Sequence, residues 1–373
     1  MTPEETKMAK KTADALRSVV SWTMLTWSCT GWGAEGFEPR YNLAGSLGGE
    51  MFAPPNQTGF ISALAATHVS VSKVTGDDGG QLTQSIPGGT VALPKPTPSA
   101  LYPTFSRGIV EIPASGTMTR WDVVLGYITS EQYGGGRLAF AVDVPFARKS
   151  QSISTSGATP VLNWNPAVPA DVQSAMQGQF SSQYQGALKA QGASESGDVS
   201  GIGDVELIAG WHYVGDKLRV LGSAALVVPT GKYSADAGPD IGNGNFYTVR
   251  PAIQVAYLPT LNLAFAAKVS AGLNSRNRGN DVRSGNWFGV ELAAGYKTPI
   301  GVVGVHAIRV QQYQDDENNP LGASRFRSTN LGAFFTTMIP VVDVALTVQY
   351  MATTSSRNAK HGNFTQVRLI RMF

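Results

Sequence analysis

FYTVRPAIQVAY, residues 246–257, shows the clearest alternation of apolar and polar side chains in the chain. In an extended chain its larger apolar side chains share one face: Tyr247, Val249, Ile253, Val255 and Tyr257. The other face holds Thr248, Arg250 and Gln254 with small alanines between them. A period of two predicts a β-strand. Pro251 lies inside this strand without an N–H to donate, which predicts a bulge or a position facing away from the neighbouring strand.

The same alternation recurs along the chain and predicts twelve strands. Their ranges are about 59–75, 118–129, 136–147, 203–214, 217–230, 245–258, 261–274, 285–298, 301–314, 325–338, 341–353 and 363–373. These segments are about 10 to 17 residues long, whereas strands of globular proteins average about 5 or 6. A tilted strand needs about 9 to 11 residues to cross a membrane.

Two arrangements are compatible with alternation: a soluble sandwich with apolar residues inward, and a membrane barrel with apolar residues outward. Three features favour the barrel. Aromatic residues stand at segment ends, the polar faces are small and mixed, and short links such as VGD and TPI alternate with longer polar links. We therefore predict an all-β fold, a single antiparallel up-and-down transmembrane β-barrel of about twelve strands, of the outer-membrane type.

The composition excludes several other classes of protein. Only 15% of residues are charged, against about 25% in typical soluble domains. Outside the N-terminus no run of 18 apolar residues predicts a membrane helix. The net charge of +3 is spread evenly, so the sequence predicts no nucleic-acid partner. A single cysteine, Cys29, excludes a disulfide framework.

The N-terminal region resembles an export signal. Lys10, Lys11 and Arg17 precede a short apolar stretch at 18–27, and small residues follow. We predict a cleaved signal peptide over 1–34, a periplasmic segment over 35–58 and the barrel over 59–373. A lipoprotein with Cys29 at its mature N-terminus is the alternative, although bulky Trp27 lies close to that cleavage position.

The predicted lumen carries charges of both signs. The inward candidates are Arg120, Asp122, Asp143, Asp204, Glu206, His212, Arg219, Arg250, Lys268, Glu291, Asp343 and Arg368, with Gln254, Lys297 and His306 beside them. Twelve strands should leave a narrow pore. These side chains are interpreted either as a structural brace of paired charges or as a constriction that filters by charge and size. A lining of mixed sign argues against strong ion selectivity.

Two long outer loops are predicted, over 76–117 and 148–202. Within the second, apolar residues recur every four positions from Val172 to Leu188, including Met176, Phe180 and Tyr184. This spacing predicts an amphipathic helix beginning near Asp171, weakened by two glycines. One hypothesis is that its apolar side collects hydrophobic solutes at the pore mouth; the alternative is a flexible surface loop.

Catalytic and metal-binding interpretations have little support in the sequence. His68 and Ser70 share a face of the first strand, as a serine hydrolase would need, but the continuation expected of an outer-membrane phospholipase is missing. His361 has no acidic neighbour in sequence for a protease site. Asp240 and Asp281 stand in Gly/Asn-rich loops that do not match an EF-hand. We predict no enzyme activity, no cofactor and no metal.

Several motifs, in their order along the chain, resemble the outer-membrane family named "Putative MetA-pathway of phenol degradation". They are APPNQTG, YGGGRLAFAVDVPF, SGIGDVELIAGWHY, VPTGKY, SGNWFGVELAAGY and VQQYQDDE. The resemblance covers about 43–373, with insertions near 76–117 and 148–202; Asn286 stands where the family has an aspartate. It implies an outer-membrane barrel that conducts small, often aromatic or apolar molecules.

The predicted function is therefore an outer-membrane channel for small hydrophobic or aromatic molecules, linked to aromatic-compound catabolism. The alternative is a surface or structural barrel with a closed lumen, whose loops bind a partner. The expected partners are outer-membrane lipid, the barrel-assembly machinery and a small-molecule solute. The last strand ends on Phe373, and a terminal aromatic residue on an alternating strand resembles the signal read by that machinery.

Deleting Phe373 is expected to lower the amount of folded barrel in the outer membrane, because the assembly signal would be lost. Heat-modifiable gel mobility of outer-membrane fractions measures that amount. A normal level of folded barrel in the deletion variant would contradict the assignment.

Overall fold

The computed structural model describes residues 40–53, 57–93, 95–235, 238–319 and 325–373. The predicted signal peptide, with Cys29, lies outside these residues. Twelve long strands are β1 (Gly59–Val74), β6 (Ala114–Tyr133), β7 (Gly136–Ile153), β10 (Val205–Val214), β11 (Leu218–Val228), β12 (Thr248–Tyr257), β13 (Leu263–Asn274), β14 (Trp287–Thr298), β15 (Gly301–Gln312), β16 (Arg327–Ile339), β17 (Val344–Arg357) and β18 (Lys360–Met372). The shorter elements are β2 (Thr83–Ile86), β3 (Gly89–Thr90), β4 (Thr104–Phe105), β5 (Gly108–Glu111), β8 (Leu162–Asn163), β9 (Gly197–Ile202), one α-helix, α1 (Ala170–Ser194), and 3-10 turns at Gly49–Phe52 and Ser99–Leu101.

The twelve long strands form one closed antiparallel ring. Neighbours in sequence pair with each other from β10 to β18; β18 then pairs with β1, β1 with β6, β6 with β7, and β7 with β10. The ring closes through Glu206 opposite Asp143 on one seam and Ile61 opposite Met372 on another. The predicted twelve-stranded up-and-down barrel is confirmed.

The wall of the barrel is apolar on its outer side and polar on its inner side. Phe60, Leu125 and Val305 point outward and are more than 60% exposed. Glu291 and His306 point inward and are 2% and 4% exposed. Because an exposed apolar wall is stable only in a hydrocarbon solvent, this pattern is that of a membrane-spanning barrel and excludes the soluble sandwich.

The two ends of the barrel differ in their connections. At the turn end the links are 134–135, 215–217, 258–262, 299–300 and 340–343. At the loop end they are 75–113, 154–204, 229–247, 275–286, 313–326 and 358–359. The last of these was predicted as a long loop, but β17 and β18 extend almost to each other, and a left-handed Asn358 makes the turn.

Local sequence explains several of these features. Gly134 and Gly135 both have positive φ, which the two-residue hairpin between β6 and β7 requires. Pro251 faces outward opposite Ala224, and no bulge interrupts the register of β12 with either neighbour. A one-residue shift does occur where β9 gives way to β10, since Phe146 pairs with Ile202 but Asp143 with Glu206.

Residues 83–112 and 154–192 form a second compact unit within the two long insertions. It contains two small sheets, β2–β5 and β3–β4–β8, and most of helix α1. Helix α1 confirms the prediction made from the four-residue spacing. Met176, Phe180, Tyr184 and Leu188 are all buried on one side of it, at 2% to 4% exposure. Their side is therefore packed in a core, and the hypothesis that it collects solutes at the surface is wrong. Among the described residues, no helix is long and apolar enough to cross a bilayer.

Replacing Phe180 by alanine is expected to destabilise this unit by about 3–5 kcal/mol, because a large side chain would leave a cavity among Phe105, Tyr184 and their neighbours. Hydrogen exchange of the α1 amides measures the loss. The matched control is Val161→Ala in the same unit, where the side chain is 74% exposed. Equal exchange protection in both variants would contradict the packing described here.

Candidate functional site

The lumen of the barrel contains a stretch of its own chain, residues 40–53, called here the inner segment. Its backbone binds inward-facing side chains of the wall. The amide of Gly49 donates to Thr336 Oγ1 at 3.0 Å, and Gln349 Nε2 donates to the carbonyl of Ala44 at 2.7 Å. The inner segment therefore lies against the inside of the barrel.

This position corrects the assignment of residues 40–53 to the predicted periplasmic segment 35–58, of which the structure describes 40–53, 57 and 58. Close approach is possible because the inner segment is rich in small residues. A Cβ added to Gly49 would lie 2.3 Å from the Cβ of Thr336, so only glycine fits at that point. Polar wall positions that would otherwise need solvent are satisfied by this backbone.

Glu291 of β14 is the central anchor of the inner segment. Its carboxylate accepts from Tyr41 Oη at 2.6 Å and from the Ser46 amide at 2.9 Å, and Lys268 Nζ lies 3.5 Å away. Burial, together with the neighbouring Glu291 charge, raises the pKa of Tyr41, so its hydroxyl stays protonated and can donate. A buried carboxylate is thus compensated by a cation and several hydrogen bonds, as its burial requires.

Two further ion pairs hold the ends of the inner segment. Arg40, which is 4% exposed, lies 3.0 Å from Asp204 and donates to the carbonyl of Gly244 at 2.9 Å. Burial lowers the pKa of Arg40, and the Asp204 carboxylate opposes that shift. Toward the turn end, Glu50 lies 2.5 Å from Arg368 of β18.

Apolar contacts complete the packing of the inner segment. One buried cluster surrounds Trp287 and includes Ala44, Ile308, Val310, Phe326 and Met351. Another includes Leu47, Met51, Ala264, Ala266, Val302 and Phe334. Apart from Phe326, which directly precedes β16, these residues belong to the inner segment and to β13–β17, the sector of the wall named here the closed half of the lumen.

The opposite sector, formed by β6, β7 and β10–β12, is named the open half. On this sector Asp122, Asp143 and Val227 are buried, whereas several other inward side chains are only half-buried. Examples are Val124, Ile208, Leu221, Ser223 and Gln254. The inner segment therefore covers this sector less completely than the closed half.

A cluster of five charges, named the charge cluster, projects into the open half. Arg120 Nε lies 2.5 Å from Asp122 Oδ1, and Arg120 Nη2 lies 3.7 Å from Asp143 Oδ2. Arg250 of β12 pairs with Glu206 of β10 and also donates to the Arg40 carbonyl at 2.6 Å. The side chain of Arg120 keeps 31% exposure.

The predicted lumen residues separate into groups. The charge cluster contains Arg120, Asp122, Asp143, Glu206 and Arg250; Asp204, Arg219, Lys268, Glu291 and Arg368 bind the inner segment or its neighbours. His212 shares the inward side of β10 with Glu206, and Gln254 and His306 also point inward. Lys297 is exposed near the turn end.

Asp343 is the exception, and its placement in the lumen was wrong. It is an exposed turn residue between β16 and β17, with φ of 50°. The strand begins only at Val344, because the preceding Pro340 favours a turn and aspartate tolerates the left-handed conformation.

Sequence reasoning missed the residues of the inner segment. Arg40, Tyr41, Ser46 and Glu50 have no alternation and no motif spacing. The one available signal was the small-residue stretch around Gly48, which permits close approach to another backbone.

The candidate hydrolase residues are placed apart from any triad. His68 faces outward, and its Nδ1 lies 3.0 Å from Thr119 Oγ1 rather than next to Ser70. His361 Nδ1 lies 3.0 Å from Ser356 Oγ at the loop end. Asp240 and Asp281 lie in separate loops. No group of three potential metal ligands occurs among the residues that the structure describes.

Comparison with known proteins gives one family match. The model of the family described as "Putative MetA-pathway of phenol degradation" matches residues 110–369. None of the curated proteins compared with the chain matches it.

Among solved structures, an outer membrane channel from Pseudomonas putida F1 is similar at 16% identity, covering 88% of this chain and all of that one, with a TM-score of 0.58. This similarity supports the fold. A weaker match is the CymD monoaromatic hydrocarbon channel, at 12% identity, covering 88% of this chain and 94% of that one, with a TM-score of 0.38. Another is the β domain of the Bordetella autotransporter BrkA, at 12% identity, covering 85% of this chain and all of that one, with a TM-score of 0.43.

Replacing Glu291 by alanine is expected to loosen the inner segment, since hydrogen bonds to a charged group contribute about 1.5–3 kcal/mol each. A cysteine at Leu47, which is 2% exposed, reports this in a Cys29→Ser background. Maleimide labelling of Leu47→Cys should accelerate about tenfold or more in Glu291→Ala. Asp122→Ala, in the open half, is the control and should leave the rate unchanged; equal rates in both variants would refute the anchor.

Proposed function

The chain belongs to the family described as "Putative MetA-pathway of phenol degradation", and we propose that it is an outer-membrane channel for small hydrophobic or aromatic molecules. The observation that carries this proposal is the divided lumen. A closed barrel with an apolar outer wall encloses an open half that runs beside the inner segment. Such a barrel offers a narrow path across a membrane.

The charge cluster is proposed as the constriction of this path. Two arginines and three carboxylates lie close enough to pair, so the field that a solute meets is weak in net sign but rich in local dipoles. A small aromatic molecule suits this lining, because an arginine can stack on a ring face and a carboxylate can accept from a ring hydroxyl. Large or highly charged solutes are expected to be excluded from the channel.

The proposed location is the bacterial outer membrane, with lipid against the apolar wall. Phe373, 66% exposed, extends β18 on its outward side, and its amide donates to the Phe60 carbonyl at 2.9 Å. The guanidinium of Arg371 lies 4.7 Å from the centre of its ring. The role of Phe373 as the signal for the barrel-assembly machinery stays a prediction.

The proposed role is passage and not catalysis. The solved structures to which the barrel is similar include channels by name, and phenol chemistry is not carried over from the family description. No cofactor is assigned.

A second function keeps support from one observation. Because the inner segment fills the closed half, the lumen could serve only as a braced core, and the loops of a structural barrel would then bind a partner. Purified protein in a planar bilayer distinguishes the two functions. Stepwise conductance that an added aromatic solute reduces supports the channel, whereas a folded but silent barrel supports the structural role.

A growth experiment tests the substrate class. A strain lacking the protein, and the same strain complemented with the intact chain, are compared on several aromatic carbon sources at low concentration. The channel predicts slower growth of the deletion strain on at least one aromatic source and equal growth on succinate. Equal growth on every aromatic source would oppose uptake of that class.

Replacing Arg120 by glutamine is expected to raise the ratio of cation to anion permeability by about two- to fivefold, because the carboxylates of the charge cluster lose a neutralising partner. The reversal potential in a salt gradient measures this ratio. Asp143→Asn should shift it the opposite way, and Arg371→Gln, on the outer side of the wall, should leave it unchanged. A reversal potential insensitive to both cluster variants would exclude this sector as the ion path.

A further inference from the structure

The outer wall of the barrel carries an unusual basic surface near the loop end of β15, β16 and β17. Its members alternate with inward residues and are named here the outer arginine patch: Arg309, Gln311, Arg327, Thr329, Ser355 and Arg357. Most of the outward wall is apolar, so three arginines on adjacent strands require an explanation.

The strand register brings these side chains together. Arg309 stands opposite Thr329, and Gln311 stands opposite Arg327. Arg327 in turn stands opposite Arg357, and Thr329 opposite Ser355. Directly opposite side chains have Cβ atoms about 4.5–5.5 Å apart, and diagonal neighbours about 7–8 Å. Like charges in opposite positions destabilise a sheet unless an anion lies between or beside them.

The protein supplies an anion for only one of the three arginines. Arg357 pairs with Asp77 at 2.8 Å. Arg309 donates only to the neutral Gln311, at 3.2 Å, and Arg327 makes no hydrogen bond or ion pair with any residue that the structure describes. The nearby carboxylates are already used, since Asp315 binds Arg325 at 2.6 Å and Glu317 binds Arg283 at 3.0 Å.

The position of the outer arginine patch along the strands shows its depth relative to the apolar part of the wall. On β15 the outward side chains before Arg309 are Val303, Val305 and Ala307, and on β16 Leu331 follows Thr329. Val305 and Leu331 are 61% and 51% exposed. Arg309 therefore lies about 7 Å along its strand beyond Ala307, which stands opposite Leu331, at a rise of about 3.4 Å per residue. This is the depth of lipid head groups when the apolar ring lies in hydrocarbon.

We propose that Arg309 and Arg327, with Gln311 and Thr329 between them, form a binding site for the phosphate of an anionic lipid head group in the outer leaflet. Guanidinium groups bind phosphate oxygens in pairs, and the neutral amide and hydroxyl supply additional hydrogen bonds. The acyl chains of the same lipid would lie on the apolar side chains of Val305, Ala307 and Leu331. The proposal depends on the outer-membrane location proposed above and is independent of what the lumen conducts.

Binding of a defined lipid to the purified full-length barrel tests the site. Native mass spectrometry in detergent is carried out with bisphosphorylated lipid A, with the same lipid after removal of both phosphates, and with inorganic phosphate alone. The protein is expected to retain the bisphosphorylated lipid and to release the dephosphorylated one. Arg309→Gln and Arg327→Gln should each weaken retention about fivefold, in line with the contribution of one basic residue at an anionic membrane surface.

Arg325→Gln is the matched control, because Arg325 lies at the same end of the barrel but is paired with Asp315. It should retain the lipid as the parent does. Heat-modifiable gel mobility verifies that each variant is folded, and unchanged single-channel conductance separates a failure of the lipid site from a failure of the channel proposal.

Three results would overturn the lipid site. They are equal retention of the dephosphorylated lipid, parent-like retention by the variant that combines Arg309→Gln with Arg327→Gln, and the same loss in Arg325→Gln. Displacement of the lipid by inorganic phosphate at millimolar concentration would instead identify a site for free phosphate and reject the lipid assignment.

Discussion

The structure depends on one constraint: in hydrocarbon, every backbone N–H and C=O of the wall must find a partner within the protein. An open sheet fails this requirement at its two edges. Twelve antiparallel strands meet it by closing on themselves, through the seam of β18 with β1 and the seam of β7 with β10. The inverted distribution of side chains follows, since the side of a closed ring that meets lipid must be apolar and the enclosed side becomes the place for charge.

Enclosure creates a second requirement, because charged side chains inside a narrow barrel are costly unless they are paired. The two sectors of the lumen meet it differently. In the closed half, Glu291 is compensated by the inner segment, which brings Tyr41 and the Ser46 amide to its carboxylate. In the open half, wall carboxylates compensate both arginines: Asp122 of the same strand pairs with Arg120, and Glu206, two strands away, pairs with Arg250. The wall and the inner segment are thus one electrostatic unit, which Arg250 links directly by donating to the Arg40 carbonyl.

The outer surface of the barrel also has charges that need compensation. Its apolar band ends toward the loops at polar and basic residues, and the outer arginine patch stands at that limit with fewer carboxylates than guanidinium groups. Inside the barrel, sequence neighbours two apart or residues on adjacent strands supply the counter-charges. Outside it, the surrounding medium must supply them, which is the physical basis for assigning a phosphate-bearing lipid to this surface.

Alternation along the chain was sufficient to predict the fold class, the strand number and the inward or outward side of nearly every wall residue. Alternation is a local property with a period of two, so a strand such as 248–257 carries its own orientation, and the pairing of Arg250 with a carboxylate could be expected from its inward side alone. The helix at 170–194 could also be predicted from the sequence, because the four-residue spacing of its apolar side chains is a local pattern. The role of residues 40–53, the division of the lumen and the exclusion of Asp343 from it became evident only in the folded chain. The inner segment binds residues more than two hundred positions away in sequence, and no local period encodes such contacts. Asp343 belongs to the turn before β17, so it is exposed and does not face the lumen.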